Sequence, residues 1–216
     1  MKNKLLRLLF PPRCPFCGEL LRRGELEVCA RCMAELRFLP PGQVKPPLFV
    51  DRCVGALRYE EKVRTAVHRF KFRGRQSAAA VFGRLLAHQI TAQLDEPFDL
   101  VVWVPTGAHN LRVRGYDHAR LIAEQVAARL GVPTAPALRR TRRTKAMYGL
   151  SAAERRANVF DAFRTAPGAP VAGARILLVD DILTTGATLS ECARVLREAE
   201  AARVCAAVLA VAPKVR

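Results

Sequence analysis

Several things are scarce in this chain of 216 residues. Acids are few: 19 Asp and Glu stand against 36 Lys and Arg, a formal net charge of +17. That imbalance excludes an acidic, cation-collecting surface and favours polyanionic partners, either nucleic acid or small phosphorylated ligands. Aromatic residues make up only 6% of the chain, so a broad base-stacking platform is not evident. No apolar run approaches the roughly 20 residues that span a bilayer. The basic, leucine-rich start, Met1–Phe10, has an apolar part of only Leu5–Phe10 with Arg7 inside it. No small-residue cleavage site follows, so these leucines are expected to pack on the protein, which is read as soluble and cytoplasmic without membrane insertion. Also missing are a Walker A sequence and a Gly-x-Gly-x-x-Gly fingerprint, which argues against NTPase and dinucleotide-binding readings. Disorder is disfavoured too, since 50% of the residues are apolar and can build a sizeable core.

Cysteine is present in an informative pattern. Cys14-Pro15-Phe16-Cys17 is followed, after eleven residues, by Cys29-Ala30-Arg31-Cys32. Two such knuckles let four thiolates converge tetrahedrally on one Zn²⁺. A full set of four leaves no open coordination position, so the zinc at Cys14, Cys17, Cys29 and Cys32 is expected to be structural. Leu20–Val28, with Gly24 in its middle, reads as a short hairpin. A redox Cys-x-x-Cys needs only one pair and a thioredoxin-like context, and paired disulfides are disfavoured in the cytoplasm. Cys53, Cys192 and Cys205 lie in apolar surroundings and are expected to be reduced and buried. The domain reading is a finger segment over 1–40, a stiff proline-rich linker over 41–48, and a larger domain over 49–216.

In the larger domain, strands are expected at Val54–Tyr59, Leu100–Val104, Arg175–Val179 and Val204–Val211. They alternate with helices over 60–72, 77–93, 117–130 and 188–200, and Ser151-Ala152-Ala153-Glu154 fits a capping box. This alternation predicts an α/β fold, a doubly wound and mainly parallel sheet. Ligands in such sheets sit at the carboxyl ends of the strands, and two strand exits carry suitable chemistry.

The stronger exit is Ile176-Leu177-Leu178-Val179-Asp180-Asp181-Ile182-Leu183-Thr184-Thr185-Gly186-Ala187-Thr188. A buried strand ends in two carboxylates, a loop of threonines and glycine follows, and a helix begins. Unpaired N–H groups at the helix start, the hydroxyls of Thr184, Thr185 and Thr188, and close backbone approach at Gly186 and Ala187 make a cup for a phosphate dianion. Asp180 and Asp181 stand where they can accept hydrogen bonds from vicinal sugar hydroxyls. The pattern describes a ribose 5-phosphate site. The second exit runs from Trp103-Val104-Pro105 through Thr106 and Gly107 to Arg112, Arg114, Gly115, Tyr116, Asp117 and His118. Basic side chains beside a glycine suit a pyrophosphate group. A third feature is the basic stripe Arg139, Arg140, Arg142, Arg143 and Lys145, shortly before Tyr148. It suits single-stranded nucleic acid or a mobile loop clamping a phosphorylated ligand.

The thirteen-residue stretch resembles the phosphoribosyl pyrophosphate (PRPP) motif of type I phosphoribosyltransferases. The resemblance implies that Asp180 and Asp181 hold the ribose hydroxyls and, in an active enzyme, serve catalysis, while Thr184–Thr188 bind the 5-phosphate. It also implies that Lys71, Thr106, Arg112 and Arg114 meet the pyrophosphate, with Mg²⁺ held mostly by substrate oxygens and water. The ordered set is more specific: a four-cysteine finger, a proline linker, Lys71 to Gly74, Arg112 to Tyr116, Gly149 to Arg155, then the PRPP motif. Together these resemble the ComF (ComFC) family of competence proteins over nearly the whole chain. In the positions where that family commonly has Pro-Val-Pro and an Asn-Gln pair, this sequence has Trp103-Val104-Pro105 and Asp117-His118. The resemblance implies a role in natural transformation, with PRPP or a related nucleotide and single-stranded DNA as ligands. A helicase-like ATPase and a DNA-protecting recombination mediator are the implied partners. The alternative is an active phosphoribosyltransferase that transfers the 5-phosphoribosyl group to a nucleobase.

Overall fold

The computed structural model describes residues 11–22, 24–25, 27–144 and 149–213. The expectations for Met1–Phe10, for Lys145 and for Tyr148 lie outside the described residues.

Four strands form one sheet in the order β1-β6-β5-β2: β1 is Arg52–Arg58, β2 Leu100–Trp103, β5 Arg175–Leu183 and β6 Arg203–Val211. Every pairing among them is parallel. The central strands β5 and β6 are buried on both faces, which is why they read as near-continuous apolar runs. Their side chains alternate between two cores. Leu177, Val179, Cys205 and Ala207 face one core, while Ile176, Leu178, Val204 and Ala206 face the other.

The first core is closed by α2 (Glu61–Phe72), α3 (Ala78–Gln93) and α5 (His118–Leu130). Helices α3 and α5 cross closely at Gly83, where an added Cβ would stand 2.3 Å from the Cβ of Gln125. The second core is covered by α7 (Ala187–Glu198) and by an antiparallel pair, β3 (Leu138–Arg140) with β4 (Phe163–Thr165). Helices therefore lie on both faces of a parallel sheet. Helix α6 (Ala152–Val159) opens with the expected box: Ser151 N–H donates to Glu154 Oε2 at 2.7 Å and Glu154 N–H to Ser151 Oγ at 3.3 Å.

Three segments differ from the sequence expectation. β5 does not stop at Val179; it continues through both acids to Leu183, because β6 keeps pairing with it as far as Val211. The loop after Thr106 contains a helix, α4 (Ala108–Arg114), none of whose residues is buried. Leu20–Val28 is not a hairpin among its described residues. The strand-like bridge instead joins Arg13 to Leu20 around the first knuckle. The Glu25 carboxylate accepts from Arg22 N–H at 2.7 Å and Ala30 N–H at 2.8 Å, which folds the segment back onto the start of α1 (Ala30–Glu35).

The finger rests on the first core. Phe16, inside the first knuckle, is buried and meets the ring of Phe82 edge-on at 5.9 Å; Phe82 meets Phe70 at 5.3 Å, and Phe70 meets Tyr116 at 6.0 Å. Burying one such ring contributes about 1.5–3 kcal/mol. Glu27 pairs with Arg84, and Glu35 with Lys62, across the same boundary. The chain then runs along the edge of the sheet at β1. Phe38 bridges Leu57, and Leu39 N–H donates to Ala56 O at 3.0 Å, so the outer edge of β1 is covered.

Candidate functional site

At the carboxyl end of the sheet a cleft of about 300 Å³ opens between β5, β2 and the start of α7. Asp180 and Asp181 are adjacent strand residues, so their side chains point to opposite sides of the sheet. Asp181 N–H donates to Asp180 Oδ1 at 2.8 Å, tying the pair together. Asp181 is buried, and its Oδ2 lies 2.5 Å from Lys71 Nζ and 3.0 Å from His118 Nε2.

His118 has two further neighbours. Arg114 Nη1 and Thr106 Oγ1 each lie 3.3 Å from His118 Nδ1. A guanidinium only donates, so an Nδ1 that accepts from Arg114 goes with an Nε2–H directed at Asp181. Asp117 fixes the ring's position from below. It caps α5 by accepting from Ala119 N–H and Arg120 N–H, and it also accepts from Thr106 N–H at 2.8 Å and Thr106 Oγ1 at 3.1 Å. One carboxylate thereby joins the end of β2 to the start of α5.

The two acids have opposite electrostatics. Burial, and then the neighbouring Asp181 charge, push Asp180 up to about 7. Burial acts against ionisation of Asp181 as well, but Lys71 and His118 outweigh it and hold this carboxyl well below the usual range. The pair thus favours a carboxylate on Asp181 beside an Asp180 carboxyl that resists ionising.

Beyond the acids, Gly186 caps α7 in the left-handed region at φ +79°, and an added Cβ there would meet Pro47 of the linker at 3.0 Å. The glycine therefore serves both the turn and the close approach of the linker. Thr185 Oγ1 accepts weakly from Ala187 N–H at 3.5 Å. Thr184, Thr185, Gly186, Ala187 and Thr188 all line the cleft.

The residues expected at the second exit do not all converge. Lys71, Thr106 and Arg114 line the cleft with the acids. Arg112 does not; it faces a neighbouring basic groove of about 340 Å³, shared with Arg140, Arg142 and Arg143. The groove and the cleft meet at Gly107, Asn110 and Arg140.

The arginine stripe is divided by the two-residue period of β3. Arg139 is exposed, while Arg140 turns inward, stacks on Phe163 at 5.2 Å and reaches Thr144 Oγ1 at 2.5 Å. Arg142 donates to the carbonyls of Asn158 at 3.1 Å and Phe160 at 2.5 Å, so it ties down the end of α6. Sequence reasoning gave no role in the cleft to Tyr59, Asn110, Arg155 and His118, all of which line it. The Nε atoms of Arg140 and Arg155 are buried and lack a hydrogen-bond partner. The signal for Arg155 lay in the Gly149-to-Arg155 motif; its spacing alone did not say where the guanidinium would point.

The four finger cysteines place their sulfurs within 4.8 Å of one another, with Cys17 and Cys29 3.7 Å apart. Thiolates bound at about 2.3 Å to one tetrahedral zinc lie about 3.8 Å from each other, so the set fits that ion. The remaining cysteines are inert by comparison. Burial pushes Cys53 up to about 12, Cys205 up to about 11, and Cys192 well above its ordinary value.

Comparison with known proteins agrees with this layout. A phosphoribosyl transferase domain model matches residues 117–215, and a double zinc ribbon domain model matches residues 5–43. The DNA utilization protein YhgH of Salmonella typhimurium is 32% identical over 197 residues, 88% of this chain and 80% of its own. Competence protein F of Haemophilus influenzae is 31% identical over 180 residues, 79% of this chain and 78% of its own. The chain belongs to the ComF family of competence and DNA utilization proteins. Its ComF architecture is a phosphoribosyltransferase-type parallel α/β domain behind an N-terminal zinc ribbon. A solved adenine phosphoribosyltransferase is similar over 64% of this chain and 70% of its own, with 20% identity and a TM-score of 0.39. Among the described residues of this ComF protein, no helix is long and apolar enough to cross a membrane.

Proposed function

We propose that this ComF-family protein binds PRPP, or another ribose 5-phosphate ligand, in the cleft and single-stranded DNA along the adjoining groove, as a cytoplasmic component of natural transformation. The observation that carries the reading is the juxtaposition of Asp180 and Asp181 with the loop from Thr184 to Thr188 in one cleft. The phosphate would lie on the backbone N–H groups at the start of α7, and the ribose hydroxyls on the two carboxyls. Lys71 and Arg114, joined by Arg140 and Arg155, surround the remaining side of the cleft with positive charge, and Thr106 adds a hydroxyl there, which suits a pyrophosphate. Asp180 fits a hydrated Mg²⁺ in its ionised form, since Asp181 N–H occupies only one of its oxygens. When bound, Mg²⁺ would neutralise pyrophosphate charge while contacting mostly ligand oxygens and water.

The basic groove supports the nucleic-acid part of the reading. Arg112, Arg140 and Arg143 line it, and phosphate neutralisation by such side chains dominates single-strand affinity. Competence proteins of this kind are expected to act beside a helicase-like ATPase and a DNA-protecting recombination mediator.

The density of cations on the pyrophosphate side favours a second reading, an active phosphoribosyltransferase. There a nucleobase nitrogen would bond to ribose C1 as the C1–oxygen bond to pyrophosphate breaks, the electron pair leaving with pyrophosphate. Asp180→Asn with Asp181→Asn is the common test. PRPP binding by calorimetry should disappear while circular dichroism stays unchanged; unaltered affinity would remove the ribose reading. Pyrophosphate release with nucleobases, present in the wild type and absent in the variant, selects the transferase.

A further inference from the structure

The cleft leaves one basic run unexplained: His68-Arg69-Phe70-Lys71-Phe72-Arg73, with Arg75 beyond it. The helical period of α2 sorts its side chains. Phe70 is buried in the first core, and Lys71 lines the cleft. Phe72 belongs to neither and is 55% exposed. Arg64, His68 and Phe72 follow one another at i, i+4 and i+8, so they share one exposed stripe of the helix.

The Phe72 ring is held between flat neighbours. The imidazole of His68 lies 4.8 Å from it, centre to centre, at a tilt of 41°. The Arg114 guanidinium carbon lies 4.6 Å over the ring centre. Imidazole, phenyl ring and guanidinium therefore form one layered surface at the rim of the cleft, which Arg114 also lines. Arg73 and Arg75 are exposed on the turn after α2, and among the described residues neither has an acidic partner. The one acid of α2, Glu61, stands three turns back, roughly 16 Å along the axis. Helix α4 links this surface to the arginine groove. Arg112 faces the groove, while Arg114, two residues on and so on another face of the helix, meets Phe72.

We infer that Phe72, with His68 and Arg114, is a base-stacking station for single-stranded DNA, where a strand leaving the arginine groove crosses α4 and is held a second time. The inference rests on the single-strand reading of that groove. An unpaired strand exposes the π-faces of its bases, which stack on aromatic rings and on guanidinium planes whatever their sequence. Arg73 and Arg75 supply the phosphate contacts that a stacked strand needs beside it. A duplex keeps its base faces covered, so the station selects single strands.

Fluorescence anisotropy on the full chain tests this with two probes of equal length, an oligothymidylate of about a dozen nucleotides and its abasic counterpart. Phe72→Ala should weaken oligothymidylate binding by about tenfold or more and leave the abasic strand unaffected. Its salt slope should match wild type, because stacking releases no counterions. Arg73→Ala with Arg75→Ala should flatten that slope. Phe72→Trp should keep the affinity, and its added indole fluorescence should be quenched when the strand binds. Oligothymidylate affinity unchanged in Phe72→Ala overturns the station, leaves the groove reading standing and points the exposed ring at a protein partner. Equal losses for both probes also overturn it, since they mean that Phe72 only props α4. Failure of the wild type to bind either probe overturns the single-strand reading and this inference with it.

Discussion

Lys71 Nζ lies 2.5 Å from Asp181 Oδ2. The cation proposed for a pyrophosphate is therefore already paired with an acid proposed for a sugar. A ligand carrying both groups can take up the pair by exchange, offering an anion to the lysine and hydroxyls to the carboxylate, so neither charge is left alone in the cleft. A ligand carrying only one of them leaves an uncompensated partner.

The pair should be visible in stability. Lys71→Met leaves Asp181 buried with only His118 beside it, and removing one partner of a buried pair costs about 3–5 kcal/mol. Because Lys71 is partly exposed, about 2–3 kcal/mol is expected here. Lys71→Met with Asp181→Asn should cost less than the sum of the single changes. A urea-denaturation double-mutant cycle measures this; strict additivity would mean the two groups do not interact.

Asp180 should give the protein a pH-dependent stability. Its folded-state pKa is raised to about 7 by burial and the Asp181 charge. Its protonated form is thus favoured by folding, a contribution fully present below pH 4 and lost as pH rises through about 7. Asp180→Asn cannot ionise. Its melting temperature relative to wild type should climb between pH 5 and pH 8.5, corresponding to a gap of about 2–3 kcal/mol. A constant difference across that range would show that Asp180 titrates normally.

Gly186 should resist substitution. Gly186→Ala puts a Cβ 3.0 Å from Pro47 at a left-handed backbone, with an expected loss of about 1–2 kcal/mol. Ribose 5-phosphate affinity should fall with it, because the linker and the start of α7 must separate. Calorimetry and thermal melts on the same variant read both effects.

The arginines should divide into two classes. Arg142 is engaged by the carbonyls of Asn158 and Phe160, so Arg142→Ala should lower the melting temperature. Arg139 and Arg143 are exposed; their joint replacement by alanine should leave the melt unchanged and flatten the salt dependence of single-strand affinity by up to about two counterions. Fluorescence anisotropy over a salt series checks this. An unchanged slope would remove these residues from the nucleic-acid surface.

The strand, loop and helix around Asp180 were legible because three independent signals coincided there: an apolar run, paired acids, and a Thr-Thr-Gly turn before an amphipathic helix. The cysteine cluster was legible from spacing alone. Helix α4 was not, because it buries nothing and so has no apolar periodicity to read. β3 and β4 are three residues each, too short for alternation to register, and so the division of Arg139 from Arg140 was hidden. The continuation of β5 past Val179 depends on pairing with β6, a contact between distant segments. His118 looked like a departure from the family's common Asn-Gln pair; its place between Arg114 and Asp181 emerges only in three dimensions.

The rings of Phe16, Phe82, Phe70 and Tyr116 form a continuous line from the first cysteine knuckle to the chain segment that carries Asp117 and His118. Phe70 is also the neighbour of Lys71 along α2. The knuckle and the two groups that hold Asp181 are therefore courses of one wall: the finger's fold and the cleft's buried acid lean on the same four rings.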